Sequence, residues 1–436
     1  MLWTAGWEGN LGVTKPTKKK MPKHNPPQKI LQEEDRFTTV ICQSELEDTL
    51  RTGARQLLIS ALEAEVEQYL TRHQKRDEAG HRLVVRNGQG APRVLQTGLG
   101  PLELRTPRVD DRREKRRFTS QILPPYLRRV PSLENLIPVL YLKGISTSAM
   151  PAALAPLLGP NAAGLSPASI VRLTAGWQEE YQTWLKRDLR SEEIVYLWAD
   201  GIYCNVRLTD ERPCLLVVIG ARKNGTKVLL AICDGERESE LSWLGVLQDL
   251  RRRGIKLPPK LAVADGALGF WPALEKVWPS CQAQRCWVHK MANVLDKLPK
   301  KLQPEAKERL HDIWMADTRK EAESAFDRFI DLYQTKHDKA CACLKKDRAE
   351  LLAFYDFPAE HWRHLRTTNP IESSFATIRH RANQTKGCGS RLATLALMFQ
   401  LGRECEKSWR CLNGSALIQK LIAGVRFIDG VAEKAA

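Results

Sequence analysis

The stretch IVYLWADGIYCNVR, residues 194–207, decides the fold, because it carries one acidic residue inside an apolar strand pattern. Side chains of a strand point alternately to the two faces of a sheet, and Ile202 and Val206 continue the apolar alternation beyond Asp200. A turn at Asp200-Gly201 is therefore disfavoured, although Asp-Gly is a common turn pair. Burying an acid is costly unless it is paired or bound to a metal, so Asp200 is predicted to be functional.

Further strands and helices follow this stretch in an order that defines a fold class. Strands predicted over 214–222 and 227–233 flank Asn224-Gly225, a pair that favours a type I′ hairpin turn. A helix, a strand, a helix and a strand follow, predicted over 240–253, 261–264, 270–278 and 283–288. This β-β-β-α-β-α-β order is the one that a ribonuclease-H-like mixed sheet requires, since its parallel strands need helical crossovers.

Asp265 is a second candidate acid, because it ends the strand predicted over 261–264. The alternative is that Asp265 and the glycine after it form an ordinary turn, as Asp234-Gly235 does at the end of the third predicted strand. In a mixed sheet of this order, the end of the fourth strand lies beside the first strand. Asp265 is therefore predicted to lie close to Asp200.

Glu372 is the third candidate, in the first turn of a helix that Asn369-Pro370 opens. A capping box, in which the Glu372 side chain bonds to the Asn369 backbone, is the alternative. Phosphoryl transfer in DNA uses two divalent cations roughly 4 Å apart. The carboxylates of Asp200, Asp265 and Glu372 would suit two Mg²⁺ ions, with Mn²⁺ as a substitute.

Composition points to a polyanionic partner. The 436 residues carry a formal net charge of +17, more than solubility requires, and nucleic acid is the leading candidate. The strongest apolar run, residues 215–221, has the length of a strand and is far shorter than the roughly 20 residues that cross a bilayer. The eleven cysteines form no Cys-x-x-Cys pair, which is typical of reduced thiols in a cytoplasmic protein and does not indicate structural zinc.

The N-terminal part is strongly basic. Residues 1–43 are predicted to be a disordered basic arm, with Met21 as an alternative start, and 44–130 to combine helices with a basic DNA-binding segment. A strip of cations releases counterions from duplex DNA, and a solvated charged loop is the alternative. The candidate residues are Arg86, Arg105, Arg108, Arg112, Arg113, Lys115, Arg116 and Arg117. A second cationic stretch after Glu372 contains Arg379, Arg381 and Lys386.

Residues 131–190 are predicted to be helical, with helices over 131–142, 146–158 and 167–185. This pattern suits a helix-turn-helix unit that would bring Arg172 to DNA, and a plain three-helix packing unit is the alternative. The rest of the chain is divided into the first part of the sheet domain, a helical segment, and a part that completes the domain with C-terminal helices. These divisions are 191–289, 290–362 and 363–436.

Five short motifs occur in the order and with the spacing of a known family. They are RNG at 86–88, LYLKGIS at 140–146, WADGIY at 198–203, CWVH at 286–289 and TTNPIE at 367–372. Together they resemble the landmarks of mutator-type bacterial insertion-sequence transposases, over about residues 46–421. One departure is QGAP at 89–92, where that family is expected to have aromatic and basic residues.

The resemblance implies a ribonuclease-H-like DDE catalytic domain that an α-helical insertion interrupts between the second Asp and the Glu. It implies that Asp200, Asp265 and Glu372 form a metal-binding triad. Cys286 and His289 match the family's Cys-x-x-His signature and are expected near the active site. From the residues alone, Cys286 would pack in the last strand and His289 would cap or start a helix.

The expected activity is binding of the terminal inverted repeats of an insertion sequence, strand cleavage, and attack by the freed 3′-hydroxyl on another phosphodiester. The resemblance also leads us to expect a homo-oligomer, a dimer in the simplest case. Two alternatives remain open at this point: a Mg²⁺-dependent nuclease without strand transfer, and a DNA-binding regulator with a silent catalytic domain.

Overall fold

The computed structural model describes residues 33–113, 117–158, 165–203, 214–235, 237–266, 269–384 and 390–433. The chain divides into two compact units. The first unit consists of the residues up to Ala91 together with Leu104–Ile122, and the second of Pro92–Glu103 together with the residues from Leu123 onward. Each unit is described by itself.

The first unit is built on one long helix. Helix α1 spans Glu33–Arg72 and packs against β1 (Val84–Gln89). It begins at Glu33, within the segment predicted to be a disordered arm. Strands β2 (Arg93–Thr97) and β3 (Gly100–Leu104) pair with each other and, apart from Leu104, belong to the second unit. In the first unit, β4 (Pro107–Asp111) pairs antiparallel with β1.

Four short helices precede the sheet in the second unit. They are α2 (Pro131–Leu142), α3 (Met150–Leu158), α4 (Pro167–Thr174) and α5 (Gly176–Leu185). Leu133, Ile137 and Ile170 are buried in a core shared by α2, α3 and α4, whereas Tyr181 and Trp184 of α5 pack in a separate core. Ser166 caps α4 by accepting the Ser169 N–H (3.3 Å). The single helix predicted over 167–185 is wrong, since α4 and α5 are separate helices.

The second unit is organised around a five-stranded mixed sheet. Its elements, in chain order, are β5 (Ile194–Tyr203), β6 (Cys214–Arg222), β7 (Lys227–Gly235), α6 (Glu240–Arg253), β8 (Leu261–Ala264), α7 (Phe270–Val277) and β9 (Gln282–Arg285). The strands lie in the order β7-β6-β5-β8-β9. Neighbours are antiparallel from β7 to β5 and parallel from β5 to β9. The predicted succession of three strands, helix, strand, helix and strand is confirmed.

Two details of this sheet differ from prediction. A type I′ turn needs positive φ at both central residues, but in the described turn Gly225 alone has it (φ 82°). The Gly225 N–H donates to the Arg222 carbonyl (2.8 Å), which closes the turn one residue earlier. The last strand is also shifted: β9 ends at Arg285, and residues 286–288, predicted to be in the strand, lead into a helix.

The sheet separates two apolar layers. Tyr196, Trp198 and Ile202 of β5 contribute to the layer formed with the C-terminal helices. Leu197 and Ala199 contribute to the opposite layer, which α6 and α7 cover. This alternation is the period of two that the sequence of β5 predicts, with both faces buried because helices lie on both sides.

Helices form most of the remaining chain. They are α8 (Trp287–Leu295), α9 (Gln303–Met315), α10 (Arg319–Tyr333), α11 (Asp338–Lys345), α12 (Arg348–Leu351), α13 (Trp362–Leu365), α14 (Asn369–Gln384), α15 (Arg391–Glu406) and α16 (Leu417–Ile422). A small hairpin, β10 (Phe427–Ile428) with β11 (Val431–Ala432), follows. All regular structure between residues 290 and 362 is helical, as predicted. Of the helices in the described ranges, none is long and apolar enough to span a membrane.

Candidate active site

The register of the central strands brings Asp200 and Asp265 together. Ala199 of β5 pairs with Ala264 of β8, and the two strands are parallel. Asp200 and Asp265 are the next residues on each strand, so both lie at the same end of the sheet. The interior of β5 thus places one acid beside the acid that ends β8, as the sequence predicted.

Helix α14 brings Glu372 to the same region, because it packs against β5 and carries Glu372 in its first turn. The capping-box alternative for Glu372 is wrong. The Asn369 N–H donates to Thr367 Oγ1 (3.3 Å), and Glu372 Oε1 instead accepts the Thr368 hydroxyl (2.5 Å). The Glu372 carboxylate is therefore oriented by a side chain and not by the backbone of its own helix end.

Cys286 and His289 lie at the start of α8, between the sheet and α14. The Cys286 N–H donates to the Ala264 carbonyl (2.8 Å), which ties this residue to the end of β8. Cys286 precedes α8 and does not lie in β9, so its predicted place in the last strand is wrong. His289 does lie in the first turn of a helix, as predicted.

His289 is the link between the acids. Its donor atom and those of Asp200 and Asp265 all lie within 4.8 Å of one another, and the same holds for Cys286, His289 and Glu372. His289 Nδ1 is 3.6 Å from Glu372 Oε1. The three acids predicted to form one site are thus gathered around a single imidazole.

The electrostatics of the cluster are strongly coupled. Burial raises the pKa of Asp200 to about 7; His289 opposes this shift, and the neighbouring acids add to it. Burial alone would lower the pKa of His289, but the Cys286 thiol, Glu372 and Asp200 together raise it to about 10. The surrounding carboxylates thus favour the protonated imidazole, whose charge opposes theirs.

Sequence reasoning missed Glu238, a fourth carboxylate at the site. It lies just before α6, and a Cβ added at Gly201 would overlap its carboxylate. Burial, together with the charge of Asp265, raises the pKa of Glu238. Gly201, a glycine inside a strand directly after a candidate acid, was the signal that another group approaches the backbone there.

Sequence reasoning also missed the residues that fix Asp265. Its backbone carbonyl accepts hydrogen bonds from Trp271 Nε1 (3.0 Å) and from the Arg285 guanidinium. Arg285 is in turn paired with Asp347 (3.1 Å), which Lys290 also contacts. The helical segment after α8 therefore supports the loop that carries Asp265.

The donor set suits a hard divalent cation. Asp200, Asp265, Glu372 and Glu238 offer carboxylate oxygens, which Mg²⁺ and Mn²⁺ prefer. Tetrahedral zinc sites more often use thiolates and imidazoles, and Cys286 and His289 are the two such groups here. His289 and Cys286 are already engaged with Glu372 and Thr368, so they are better suited to orient the carboxylates than to replace them.

The predicted DNA-binding residues fall into four groups. Arg105, Arg108, Arg117 and Arg172 are exposed. Three others are engaged in ion pairs: Arg86 with Glu63 (3.2 Å), Arg112 with Asp110 (3.0 Å) and Arg113 with Asp111 (2.6 Å). Arg379 and Arg381 belong to α14. Lys115, Arg116 and Lys386 lie outside the described residues.

Comparison with known proteins identifies the family. The model of the family described as "Transposase, Mutator family" matches residues 27–411. The chain belongs to the Mutator family of transposases. It is 51% identical over 282 residues to the transposase for insertion sequence element IST2 of Acidithiobacillus ferrooxidans, an alignment that covers 65% of this chain and 95% of that relative.

Other members of the family match over similar or longer stretches. The transposase for insertion sequence element IS6120 of Mycolicibacterium smegmatis is 47% identical over 298 residues, which cover 68% of this chain and 92% of the relative. The transposase for ISRM5 of Rhizobium meliloti is 28% identical over 370 residues, or 84% of this chain and 90% of the relative. Because these alignments cover at least 90% of each relative, they support a role as a transposase for this chain.

Proposed function

We propose that this transposase binds the terminal inverted repeats of an insertion sequence, cuts a DNA strand at each end and joins the freed 3′-hydroxyl to another phosphodiester. The observation that carries the proposal is the meeting of Asp200 and Asp265 at one end of the sheet, with Glu372 joined to them through His289. Three acids from distant parts of the sequence thus meet at one site of a strongly basic protein of a transposase family. Such a site suits metal-assisted phosphoryl transfer.

In this proposal the sheet domain is a ribonuclease-H-like fold. The strand order, with three antiparallel strands followed by two parallel ones, supports it. The helices of 290–362 are an insertion between Asp265 and Glu372, and 363–436 complete the domain begun by 191–289. Residues 44–130 form the DNA-binding part, and 131–190 a helical part that also meets DNA through Arg172.

Two Mg²⁺ ions, for which Mn²⁺ can substitute, would be held by Asp200, Asp265 and Glu372. When bound, they supply the Lewis acidity that activates the attacking oxygen and stabilises the leaving oxygen. Thr368 orients the Glu372 carboxylate, and Trp271 and Arg285 hold the Asp265 backbone. The His289 imidazole lies within 4.8 Å of the Asp200 and Asp265 carboxylates and 3.6 Å from Glu372, so it links the three acids.

In this proposal exposed arginines hold DNA phosphates. Phosphate contacts position DNA but do not read its sequence, so recognition of the ends falls to side chains of the N-terminal segments. The exposed Arg105, Arg108 and Arg172 are the described candidates for these contacts. Because two ends must be handled together, the active form in this proposal is a homo-oligomer, a dimer. It acts on the bacterial nucleoid in the cytoplasm.

The deciding experiment supplies pre-cut ends that already carry a free 3′-hydroxyl, with target DNA and Mg²⁺. A transposase joins these ends to the target, whereas a nuclease with the same fold only degrades them. A regulator without catalysis binds the ends in chelator and produces neither product under any metal condition. Absence of joined product with pre-cut inverted-repeat ends, in Mg²⁺ and in Mn²⁺, would reject the proposed function.

A further inference from the structure

A cavity of about 480 Å³ lies between the start of α14, the segment after α15 and the start of β7. Its volume is within the roughly 300–1,000 Å³ of small-ligand pockets. Asn369 and Pro370 line it, and Glu372 belongs to the same turn of α14. A group bound in this cavity therefore lies beside the turn that brings Glu372 to the acid cluster.

The lining of this cavity is basic. Lys227, Arg363 and Arg410 contribute cations, and of the described residues that line it none is an Asp or a Glu. Burial, followed by the charges of Lys227 and Arg363, lowers the pKa of His364 to about 4. The positive potential of these cations thus reaches the cavity wall, which suits an anion.

Lys227 is the most deeply placed of these cations. It is buried, with 9% of its surface exposed, and its ammonium donates to the Arg410 carbonyl (2.6 Å). An ammonium has three N–H donors, and within the described part of the chain the Arg410 carbonyl is the acceptor for one of them. A phosphate oxygen in the cavity would provide a charged acceptor for the others.

The cavity also offers an aromatic surface. Trp409 is half-buried, and its Nε1 donates to Ser374 Oγ (2.8 Å), which holds the indole against α14. Nucleobases stack on aromatic side chains in proteins that bind single strands. The cations and the Trp409 indole line the same cavity, so the cavity is complementary to a ligand that has both an anionic group and a flat apolar group.

We propose that this cavity binds one nucleotide of a DNA strand next to the cleaved phosphodiester, its phosphate near Lys227 and Arg363 and its base against Trp409. The proposal rests on the function proposed above. A strand nucleotide is favoured over a free one because the cavity lies beside the turn that carries Glu372. A nucleotide held there would fix the strand relative to the acids.

The test measures binding of a short labelled single-stranded oligonucleotide to the full chain by fluorescence anisotropy, in Ca²⁺ and over a series of salt concentrations. Removing one phosphate contact from a single strand lowers the slope of log K against log salt by about 0.7. Arg363→Ala is expected to show that loss. The matched control is Arg251→Ala, an exposed arginine of α6 away from the cavity, which is expected to keep the wild-type slope.

Two further variants test the base contact. Trp409→Phe keeps an aromatic ring and is expected to bind like the wild type, whereas Trp409→Ala is expected to bind about tenfold more weakly. Equal binding by Trp409→Ala and wild type would overturn the stacking contact. Competition by deoxyadenosine monophosphate separates the two sources of nucleotide: if it displaces the oligonucleotide at equal concentration, the cavity is a free-nucleotide site and the proposal fails.

Asp200→Asn keeps this test independent of the proposed function. If that variant binds the oligonucleotide with the wild-type slope but does not cleave, strand binding is separate from catalysis and the proposed function is supported. If it cleaves normally, the proposed function fails, and the Arg363 result still decides the role of the cavity. An Arg363→Ala variant with wild-type affinity and slope overturns the cavity proposal, whatever the cleavage result.

Discussion

Gly201 shows how a single residue shapes the acid cluster. It follows Asp200 in β5, and the Glu238 carboxylate occupies the space where any side chain at this position would be. Asp200 could be predicted from the sequence because an acid interrupts an apolar strand. Glu238 could not, since it precedes α6 in an unremarkable loop and reaches the site only once β5 and β7 are in the same sheet.

Glu238→Gln is expected to lower the affinity of the site for its metal ions without unfolding the protein. Loss of a carboxylate next to metal ligands commonly costs 10- to 100-fold in metal affinity, so the Mn²⁺ concentration for half-maximal cleavage should rise about tenfold. Titration of cleavage with Mn²⁺ measures this shift. Glu240→Gln, two residues away and paired with Lys276, is the matched control and should leave the titration unchanged. Identical titrations for both variants would remove Glu238 from the site.

Thr368 is the second residue whose role depends on the folded structure. It is fully buried, its N–H donates to Cys286 Sγ (3.3 Å) and its hydroxyl donates to Glu372. Thr368→Val preserves the shape but removes the hydroxyl, and is expected to lower the cleavage rate roughly 10- to 100-fold. Thr368→Ser should retain most of the rate. If valine and serine variants cleave equally fast, the hydroxyl does not orient Glu372.

At the scale of elements, the boundary between β9 and α8 shows where pattern reading fails. Residues 286–288 form a short apolar run, which fits a strand and a buried helix start equally well. In the structure, the Trp287 N–H donates to the Arg366 carbonyl (2.9 Å), a contact from a segment about 80 positions away. This long-range contact favours the helix, and the helix places His289 next to Glu372. Periodicity within a single segment contains no information about such a partner.

The long, well-patterned elements were predictable. The bounds of β6, α6, β8 and α2 agree with the sequence patterns because each is a continuous apolar run or a helical period with a clear end, such as Gly254 after α6. The split between α4 and α5 had no such stop signal. The bounds of an element in this chain could thus be predicted where turn or capping residues mark its end. They could not be predicted where tertiary contacts determine that end.

In the first unit, a hydrogen-bonded group ties α1 to β4 and gives a pH-dependent prediction. Arg113 and then Tyr69 hold the pKa of the Asp111 carboxyl well below its usual range. A carboxyl with a lowered folded-state pKa stabilises the fold above its unfolded pKa of about 4, and that stability is lost as the pH falls.

The wild type is therefore expected to lose protection between about pH 5 and pH 2, and Asp111→Asn is expected to lack this pH-dependent loss. Hydrogen exchange of peptides from α1 and β4 in the full chain measures it. Asp110→Asn, at a more exposed ion pair with Arg112, is the matched control and should follow the wild type. A wild-type acid profile in Asp111→Asn would show that this carboxyl does not stabilise the unit.

At the scale of the whole molecule, the charge of +17 predicted a polyanionic partner but not which cations meet it. In the structure, Arg113 is paired with Asp111, whereas Arg105 and Arg108 are exposed. A run of arginines in the sequence thus divides into structural ion pairs and surface charges. Sequence alone cannot make this division, because both kinds look the same in a basic segment.

Arg105→Ala and Arg108→Ala are each expected to weaken duplex binding and to reduce its dependence on salt concentration. Each lost phosphate contact lowers the slope of log K against log salt by about 0.9. Filter binding of inverted-repeat duplexes over a salt series measures the slope. Arg113→Gln should instead destabilise the first unit to heat and keep the wild-type slope. A reduced slope in Arg113→Gln, with none in the other two variants, would reverse this assignment.

The most direct test of the metal-dependent active site compares cleavage and joining of inverted-repeat ends by the wild type, Asp200→Asn, Asp265→Asn and Glu372→Gln in Mg²⁺. Each variant is expected to lose activity on the order of a thousandfold or more, while binding the ends in chelator as tightly as the wild type. Glu372→Gln is the most informative variant, because its sequence context alone is also compatible with a helix cap. Near-wild-type strand cleavage by a well-folded Glu372→Gln would contradict the three-acid site.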